Sequence, residues 1–194
     1  EAEEIIEKLA IEKDNSIIEY GTGTGEIAIN LSDKCQRITA IDVSKAMIDY
    51  AEQKAKKNNI NNITFVNAGF LNYENDDTFD YAISQLALHH LPDFWKMVAL
   101  KNIQNSLSDG GKLFLKDVVF PIKIDKFEKS INFTLDDFFK AAGEESGKNF
   151  INHIKNEYST FDWIMEEMFY RCGFDLIDAS YDDFYIASYV CKKR

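Results

Sequence analysis

The sequence has little of what marks several large classes of protein. Among 194 residues there are only 2 prolines and 3 cysteines. The three cysteines are an odd number and form no Cys-x-x-Cys pair, so we predict no disulfide framework and a reducing, cytoplasmic location. The longest apolar runs fall well short of the roughly 18 residues of a membrane span, and no signal peptide is visible. We therefore expect no membrane association.

Basic residues and histidines are also scarce. There are 22 Lys and Arg against 33 Asp and Glu, which gives a net charge of −11. A nucleic-acid backbone attracts a basic surface, so nucleic acid is not the expected partner. The 3 histidines do not show a metal-ligand spacing with cysteines or acids, so no metal site is predicted. The length suits one domain, residues 1–194, with a sizeable core.

A cluster of glycines is the most informative feature that is present. Gly21, Gly23 and Gly25 alternate with threonines, directly after an apolar run that ends in Glu19-Tyr20. A helical pattern begins near Glu26, so the stretch predicts a strand, a tight turn and a helix N-terminus. The spacing differs from the Gly-x-Gly-x-x-Gly of dinucleotide-binding turns. A plain glycine turn that binds nothing is the alternative.

A second acid follows at a meaningful distance. Residues 37–42 read as a buried strand ending in Asp42, which lies 21 residues after Gly21. A carboxylate at the carboxyl end of a parallel strand can accept both hydroxyls of a ribose, although a loop acid or helix cap is the alternative. Ser44 is expected to cap a helix that reaches Lys57.

The glycine stretch Glu19-x-Gly21-x-Gly23-x-Gly25 resembles the first motif of the class I S-adenosylmethionine-dependent methyltransferases. The later run His89-His90-Leu91-Pro92-Asp93 is similar to the small-molecule branch of that family. The resemblance implies S-adenosylmethionine as cofactor and a small-molecule methyl acceptor. It implies this set of cofactor-binding residues: Glu19, Tyr20, Gly21, Gly23, Asp42, Val43, Met47, Gly69, Phe70 and Gln85. Plain core packing is the alternative for Val43 and Met47.

The sequence departs from the family at Gly69, where many members carry an aspartate for the adenine amino group. A neighbouring backbone carbonyl, or Asn67, is expected to replace it, and the N–H of Phe70 can still reach a ring nitrogen.

The alternation of apolar runs and helical patterns predicts the fold class. We expect an α/β, Rossmann-like sheet of seven strands, mostly parallel with an antiparallel last strand, and helices on both faces. The predicted strands are 17–20, 37–42, 62–67, 77–84, 112–118 and a hairpin over 174–191 that turns at Asp182-Asp183. The predicted helices are 1–12, 26–32, 44–57, about 94–107, 134–142 and one from 159 or 160 to 172.

Two segments carry more detailed predictions. In the helix near 94–107, Phe94, Val98, Ile103 and Leu107 are expected to face the core, with Asp93 as the N-cap and Asp109-Gly110-Gly111 as the left-handed end. Residues 119–158 break the alternation, hold six phenylalanines and are predicted to form a helical lid, with Gly143 as a helix stop.

The catalytic residues are not assigned from the sequence. Methyl transfer from a sulfonium needs alignment more than a base. One of His89 and His90 could act as a base, or both could be structural. No Asn-Pro-Pro-Tyr, Asp-Pro-Pro-Tyr or Pro-Cys follows the fourth strand, which argues against methylation of nucleic-acid bases or glutamine. A nicotinamide-dependent oxidoreductase and a catalytically silent cofactor-binding protein are the alternative functions.

Overall fold

The computed structural model describes residues 1–74, 77–122, 124–182 and 185–194. The helices are α1 (Ala2–Leu9), α2 (Glu26–Leu31), α3 (Lys45–Lys57), α4 (Asp93–Ser106), α5 (Phe127–Asn156) and α6 (Asp162–Cys172). The strands are β1 (Ser16–Tyr20), β2 (Arg37–Asp42), β3 (Ile63–Asn67), β4 (Phe79–Gln85), β5 (Leu107–Phe120), β6 (Thr160–Phe161), β7 (Phe174–Tyr181) and β8 (Ile186–Lys193).

The strands form one sheet in the order β3-β2-β1-β4-β5-β8-β7, with the two-residue β6 pairing with β5 beside that path. The strands from β1 to β5 pair in parallel, whereas β8 is antiparallel to both β5 and β7. The predicted seven-stranded α/β sheet with an antiparallel last strand is therefore confirmed. The predicted turn at Asp182-Asp183 includes Asp183, which lies outside the described residues.

Both faces of the sheet are covered by helices, as predicted. Neighbouring residues on a strand point to opposite faces, and in β1 Ile17 joins one core cluster while Ile18 joins the other. The first cluster contains Ile5 of α1 and Ile27 of α2, and the second contains residues of α4 and α6. The parallel strands consequently present their carboxyl ends at one edge between two helical layers.

The buried face of α4 differs from the prediction. Phe94 is 69% exposed, and Leu107 already belongs to β5. The buried positions are Lys96, Ala99, Leu100, Ile103 and Gln104, of which only Ile103 was predicted. The N-cap is Pro92 rather than Asp93, whose carboxylate instead accepts a hydrogen bond from the Lys96 ammonium at 2.8 Å. The buried face of α4 is rotated relative to the predicted one because Lys96 is buried, whereas hydrophobic periodicity places a lysine on the surface.

The Asp109-Gly110-Gly111 segment does not end α4, contrary to the prediction. The helix ends at Ser106, because Leu107 is buried in extended backbone with φ −90° and ψ 145°. Gly110 has φ +75° and lies inside β5, where the pairing with β4 shifts between Phe79 and Tyr81. The glycines therefore accommodate an irregularity in the strand.

The segment after β5 is helical, as predicted, but longer. Helix α5 begins at Phe127 rather than at 134 and continues to Asn156, with one interruption. Gly143 has φ 85° and ψ 174°, a conformation essentially restricted to glycine, so the predicted stop at this residue is confirmed as a kink. None of the helices in the described ranges is long and apolar enough to cross a membrane.

Candidate functional site

The glycine turn joins β1 to α2 at the carboxyl edge of the sheet. The backbone N–H groups of Gly21 and Thr22 both donate to the carbonyl oxygen of Ile41, at 2.9 and 3.0 Å. Gly21 and Gly23 have φ +76° and +53°, which side-chain-bearing residues adopt reluctantly. A Cβ at Gly21 would lie 2.5 Å from the Cβ of Ala87, in the loop after β4. The loops after β1 and β4 therefore touch, and they do so where the strand order reverses, which is the usual ligand crevice of an open α/β sheet.

Glu19 lies beneath this turn rather than in the crevice. Its side chain is buried, with 4% of the residue exposed, and it accepts a hydrogen bond from the Thr22 hydroxyl at 2.6 Å. Burial raises the pKa of the Glu19 carboxyl to about 7, and the hydrogen bond from Thr22 offsets part of that shift. The geometry gives Glu19 the role of shaping the turn.

Asp42 holds two loops together at the end of β2. One carboxylate oxygen accepts the N–H of Gly23 at 2.8 Å, and the other accepts the N–H of Ser44 at 2.8 Å. A carboxylate has about four acceptor positions, so two remain for a ligand. The Ser44 hydroxyl caps α3 by accepting the N–H of Met47 at 3.4 Å, which confirms the predicted cap.

Two apolar side chains flank Asp42 on the surface. Val43 is 77% and Met47 is 43% exposed, so neither is a core residue, and the alternative of plain core packing is wrong for both. A Cβ at Gly69 would lie 2.5 Å from Cγ1 of Val43. With Val43 in its present position, a residue larger than glycine therefore does not fit at position 69. The Asn67 amide donates to the carbonyl oxygens of Asp42 and Val43, at 3.0 and 2.9 Å, and so supports the same loop.

Two other predicted residues turn their rings into the core. Tyr20 is buried, its hydroxyl donates to Ser106 at 3.2 Å, and its ring stacks on that of Phe70 with centroids 5.5 Å apart. Any contact that Tyr20 makes in the crevice is therefore left to its backbone atoms, whereas Phe70 is only partly buried.

Gln85 ends β4 and has an unused donor. Its Nε2 is buried and has no hydrogen-bond partner among the described residues. The next residue, Leu86, has φ +49°, and its N–H donates to the carbonyl oxygen of Lys116 at 2.8 Å. This hydrogen bond fixes the turn that follows β4. An orphaned buried amide at the crevice fits a polar ligand group.

His89 and Asp117 form a buried pair beside this turn. The Asp117 carboxylate accepts the backbone N–H groups of Leu88, His89 and Val118, at 2.8, 3.1 and 2.7 Å, and it binds Nδ1 of His89. Burial alone lowers the pKa of His89, but Asp117 and Glu157 outweigh burial and the pKa lies above its ordinary value. The end of β5 thus fixes the orientation of the imidazole.

The far end of α5 brings two further groups to His89. Oε2 of Glu157 lies 2.9 Å from Nε2 of His89 and 2.9 Å from Nδ1 of His153, while His90 is more distant at 3.7 Å. The pKa of His153 is lowered, chiefly by burial. This cluster is not visible in the sequence because its members come from two segments far apart along the chain.

A cavity of about 450 Å³ lies next to the cluster. Its walls come from the end of β5, the second half of α5 and the start of β8, and they are predominantly apolar. The lining residues are Val118, Ser146, Asn149, Phe150, His153, Asp182 and Ile186. In β5, Lys116 pairs with Gln85 at the end of β4, and Val118, two residues further on, pairs with Ile186 of β8. The cavity wall at Val118 therefore lies at the same edge of the sheet as the crevice.

Comparison with known proteins agrees with this geometry. The family profile described as a methyltransferase domain matches residues 17–111. An uncharacterized methyltransferase of Staphylococcus carnosus is 27% identical over 173 residues, which cover 89% of this chain and 76% of that protein.

Solved structures share the fold at low sequence identity. The YcgJ protein of Bacillus subtilis has a TM-score of 0.77 at 15% identity, covering 100% of this chain and 97% of that one. Magnesium protoporphyrin IX methyltransferase of Synechocystis, solved with bound S-adenosylmethionine, has a TM-score of 0.69 at 15% identity, covering 100% of this chain and 78% of that one.

The fold, with the glycine turn and Asp42 at the carboxyl edge of its sheet, is Rossmann-like. The methyltransferase-domain match over residues 17–111 and the similarity to curated methyltransferases support membership of the class I S-adenosylmethionine-dependent methyltransferases. These findings favour S-adenosylmethionine as the cofactor over a nicotinamide dinucleotide, and an enzyme over a catalytically silent protein.

Proposed function

We propose that this methyltransferase acts on a small, largely apolar acceptor that binds in the cavity between β5, β8 and the second half of α5. The observation that carries the proposal is the cavity itself, whose volume of about 450 Å³ suits a small organic molecule. The walls are mostly apolar, with His153, Asn149 and Asp182 as polar groups that can orient one end of the acceptor.

For the cofactor, the exposed groups of the crevice suggest a division of roles. Asp42 would accept the ribose hydroxyls through its two remaining acceptor positions, with Val43 and Met47 against the adenine. The backbone of Gly21, Gly23, Gly69 and Phe70 would line the pocket, and Gln85 would donate its unused N–H to the methionine end. Glu19 and Tyr20 would contribute by holding the turn from below rather than by side-chain contact.

The chemistry requires little beyond alignment. S-adenosylmethionine carries the methyl group on a sulfonium sulfur, and S-adenosylhomocysteine is the leaving group. The lone pair of the acceptor forms the new bond to the methyl carbon, and the electron pair of the S–CH₃ bond returns to sulfur. Holding the two partners in line can contribute about 7–11 kcal/mol. Closing the site against water protects the sulfonium and favours this alignment.

Residues 119–158 would supply that cover within a single domain of residues 1–194. The first two residues continue β5, and α5 follows at the carboxyl edge, where open α/β sheets bind ligands. Phe150 packs with Val118 and Tyr185 at the cavity, so the second half of α5 belongs to its wall. We expect this segment, rather than the glycine turn, to set acceptor choice.

A small acceptor is also favoured by charge. The net charge of −11 disfavours the approach of a phosphate backbone. The cavity is lined by side chains of three elements and has the volume of a small molecule.

Methyl-labelled S-adenosylmethionine tests the proposal. The labelled cofactor is offered with a panel of small aromatic and aliphatic amines, alcohols and thiols, and in parallel with RNA and with protein. We expect label in a small acceptor. The cavity-filling variant Ser146→Phe should lower that transfer at least tenfold while the affinity for S-adenosylhomocysteine stays within twofold.

The matched control is Glu145→Phe, which adds the same ring at an exposed neighbouring position outside the cavity lining. It should transfer like the parent protein. Label found only in RNA or protein would overturn the small-acceptor proposal, and so would equal loss of transfer in both variants.

A further inference from the structure

We infer that His89, His153 and Glu157 form a binding site for a divalent transition-metal cation, with Zn²⁺ as the first candidate. Their ligand atoms, Nε2 of His89, Nδ1 of His153 and Oε2 of Glu157, all lie within 4.8 Å of one another. Two imidazoles and a carboxylate are a ligand set that Zn²⁺ takes in proteins, with a further position open to water or a substrate.

The second nitrogen of each ring supports this assignment. Nδ1 of His89 is held by the Asp117 carboxylate, and Nε2 of His153 lies 2.8 Å from the Ser159 hydroxyl. In metal sites the non-ligating ring nitrogen is regularly held by such a partner, which fixes the ring orientation and the tautomer. Both rings therefore turn their free nitrogen toward Glu157 under constraint from the opposite side.

The surrounding backbone makes the cluster rigid. The N–H of Tyr158 donates to the carbonyl oxygen of His89 at 2.9 Å, and the N–H of Glu157 donates to the carbonyl oxygen of His153 at 2.9 Å. The buried ammonium of Lys96 donates to the Tyr158 carbonyl oxygen, and β6 then pairs with β5. The segment carrying Glu157 is thus fixed to the end of β5 and to the loop after β4.

Charge also favours a cation at this position. Asp117 is almost fully buried and binds His89, while the partly buried Glu157 lies 2.9 Å from a ring nitrogen of both His89 and His153. Lys96 is the nearby basic group, and its ammonium is already bound to Asp93 and Tyr158. A divalent cation would compensate the Glu157 carboxylate by direct coordination and the Asp117 carboxylate through the ring of His89.

The cation site lies beside the cavity in which we propose that the acceptor binds. His153 is also a wall of the cavity, so an open coordination position would face an acceptor there and could hold an oxygen, nitrogen or sulfur atom of it. This link to the acceptor rests on the proposed function, whereas the metal site itself does not.

Calorimetric titration of the chelator-treated full chain with Zn²⁺, and absorption spectroscopy with Co²⁺, test the inference. We expect one cation per chain, with a visible Co²⁺ spectrum of nitrogen and oxygen ligation. His153→Ala and Glu157→Gln should weaken binding by well over tenfold. Ser159→Ala should weaken it by about 10–100-fold, since it removes only the partner of His153.

The matched control is His90→Ala, the one histidine of the chain outside the ligand set, whose side chain is exposed. It should bind Zn²⁺ like the parent protein. Absence of stoichiometric binding, or undiminished binding in His153→Ala and Glu157→Gln, would overturn the metal site and leave a purely structural histidine–glutamate cluster. Stabilisation by S-adenosylhomocysteine, measured on the same samples, shows whether each variant is folded and keeps a failed metal site distinguishable from a failed methyltransferase assignment.

Discussion

At the scale of single residues, Glu19 places a carboxyl group inside the protein, and this has a consequence for stability. Its pKa is raised to about 7 by burial, whereas in the unfolded chain it is near 4.5. Between these values the folded protein keeps a proton that the unfolded chain has released. The free energy of unfolding therefore falls as pH rises from about 4.5 to about 7.

Glu19→Gln should remove this pH dependence, because the amide stays uncharged and still offers an oxygen to Thr22. Above pH 7 the variant should be more stable than the parent by on the order of 2–3 kcal/mol, and below pH 4.5 the two should be alike. Urea unfolding across this range measures the difference. Glu3→Gln, at an exposed acid of α1, is the control, and identical pH profiles for Glu19→Gln and the parent would refute the role of the buried carboxyl.

Asp42 is expected to carry much of the cofactor affinity. Asp42→Asn removes a charged acceptor from the ribose and should weaken binding of S-adenosylhomocysteine by about 1.5–3 kcal/mol, as measured by calorimetry. The melting temperature should also fall, because the carboxylate accepts the N–H groups of Gly23 and Ser44. Asp14→Asn, at an exposed acid in the turn before β1, should change neither quantity. An affinity within twofold of the parent with a large loss of stability would make Asp42 purely structural.

At the scale of elements, the loops after β1 and β4 can approach each other closely because Gly21 has no side chain. Gly21→Ala places a Cβ 2.5 Å from that of Ala87, whereas a Cβ at Gly23 meets nothing within 4 Å. Both positions have positive φ, so the pair of alanine variants separates crowding from backbone strain. Gly21→Ala should lower the melting temperature of the cofactor-free protein clearly more than Gly23→Ala does. Equal losses would mean that the close approach contributes nothing.

Helix α5 divides at Gly143 into two halves with different surroundings. The second half supplies Phe150 to a core cluster and ends in the contacts of His153 and Glu157, while Phe127 and Phe133 of the first half are exposed. We expect faster amide hydrogen exchange in residues 127–142 than in 144–156, with protection of the segment when S-adenosylhomocysteine is added. Slow exchange throughout, unchanged by the ligand, would describe a fixed subdomain and contradict the lid.

The elements also show what the sequence can and cannot predict. The extents of β2, α2 and α3 were predicted to within a residue, because apolar runs there end at clear glycine, acid or cap residues. The buried face of α4 was not predicted, since Lys96 is 1% exposed. Its ammonium is hydrogen-bonded to Asp93 and to the carbonyl oxygen of Tyr158, and hydrophobic periodicity does not reveal such partners. The site divides in the same way: Asp42 follows from its place after a strand, whereas the meeting of His89 with Glu157 depends on how α5 returns to the sheet.

At the scale of the whole molecule, cofactor binding should be visible as global stabilisation. A ligand at 100 times its dissociation constant adds about 2.7 kcal/mol to the native state. For a chain of this size that corresponds to about 5–10 °C in melting temperature. S-adenosylmethionine and S-adenosylhomocysteine should produce this shift in a thermal scan, and a nicotinamide dinucleotide should not. A response to the dinucleotide alone would contradict the cofactor assignment.

The insertion of β8 between β5 and β7 bears on how the chain folds. One side of β5 has its ladder completed only when residues 186–193 arrive, after all of α5 and α6 have been made. Until then a strand holding Leu113, Phe114 and Leu115 presents an unpaired edge, the kind of edge on which separate chains associate. Closure of the sheet is thus a late, long-range event, and early folding intermediates of this protein should be prone to aggregation and to chaperone capture.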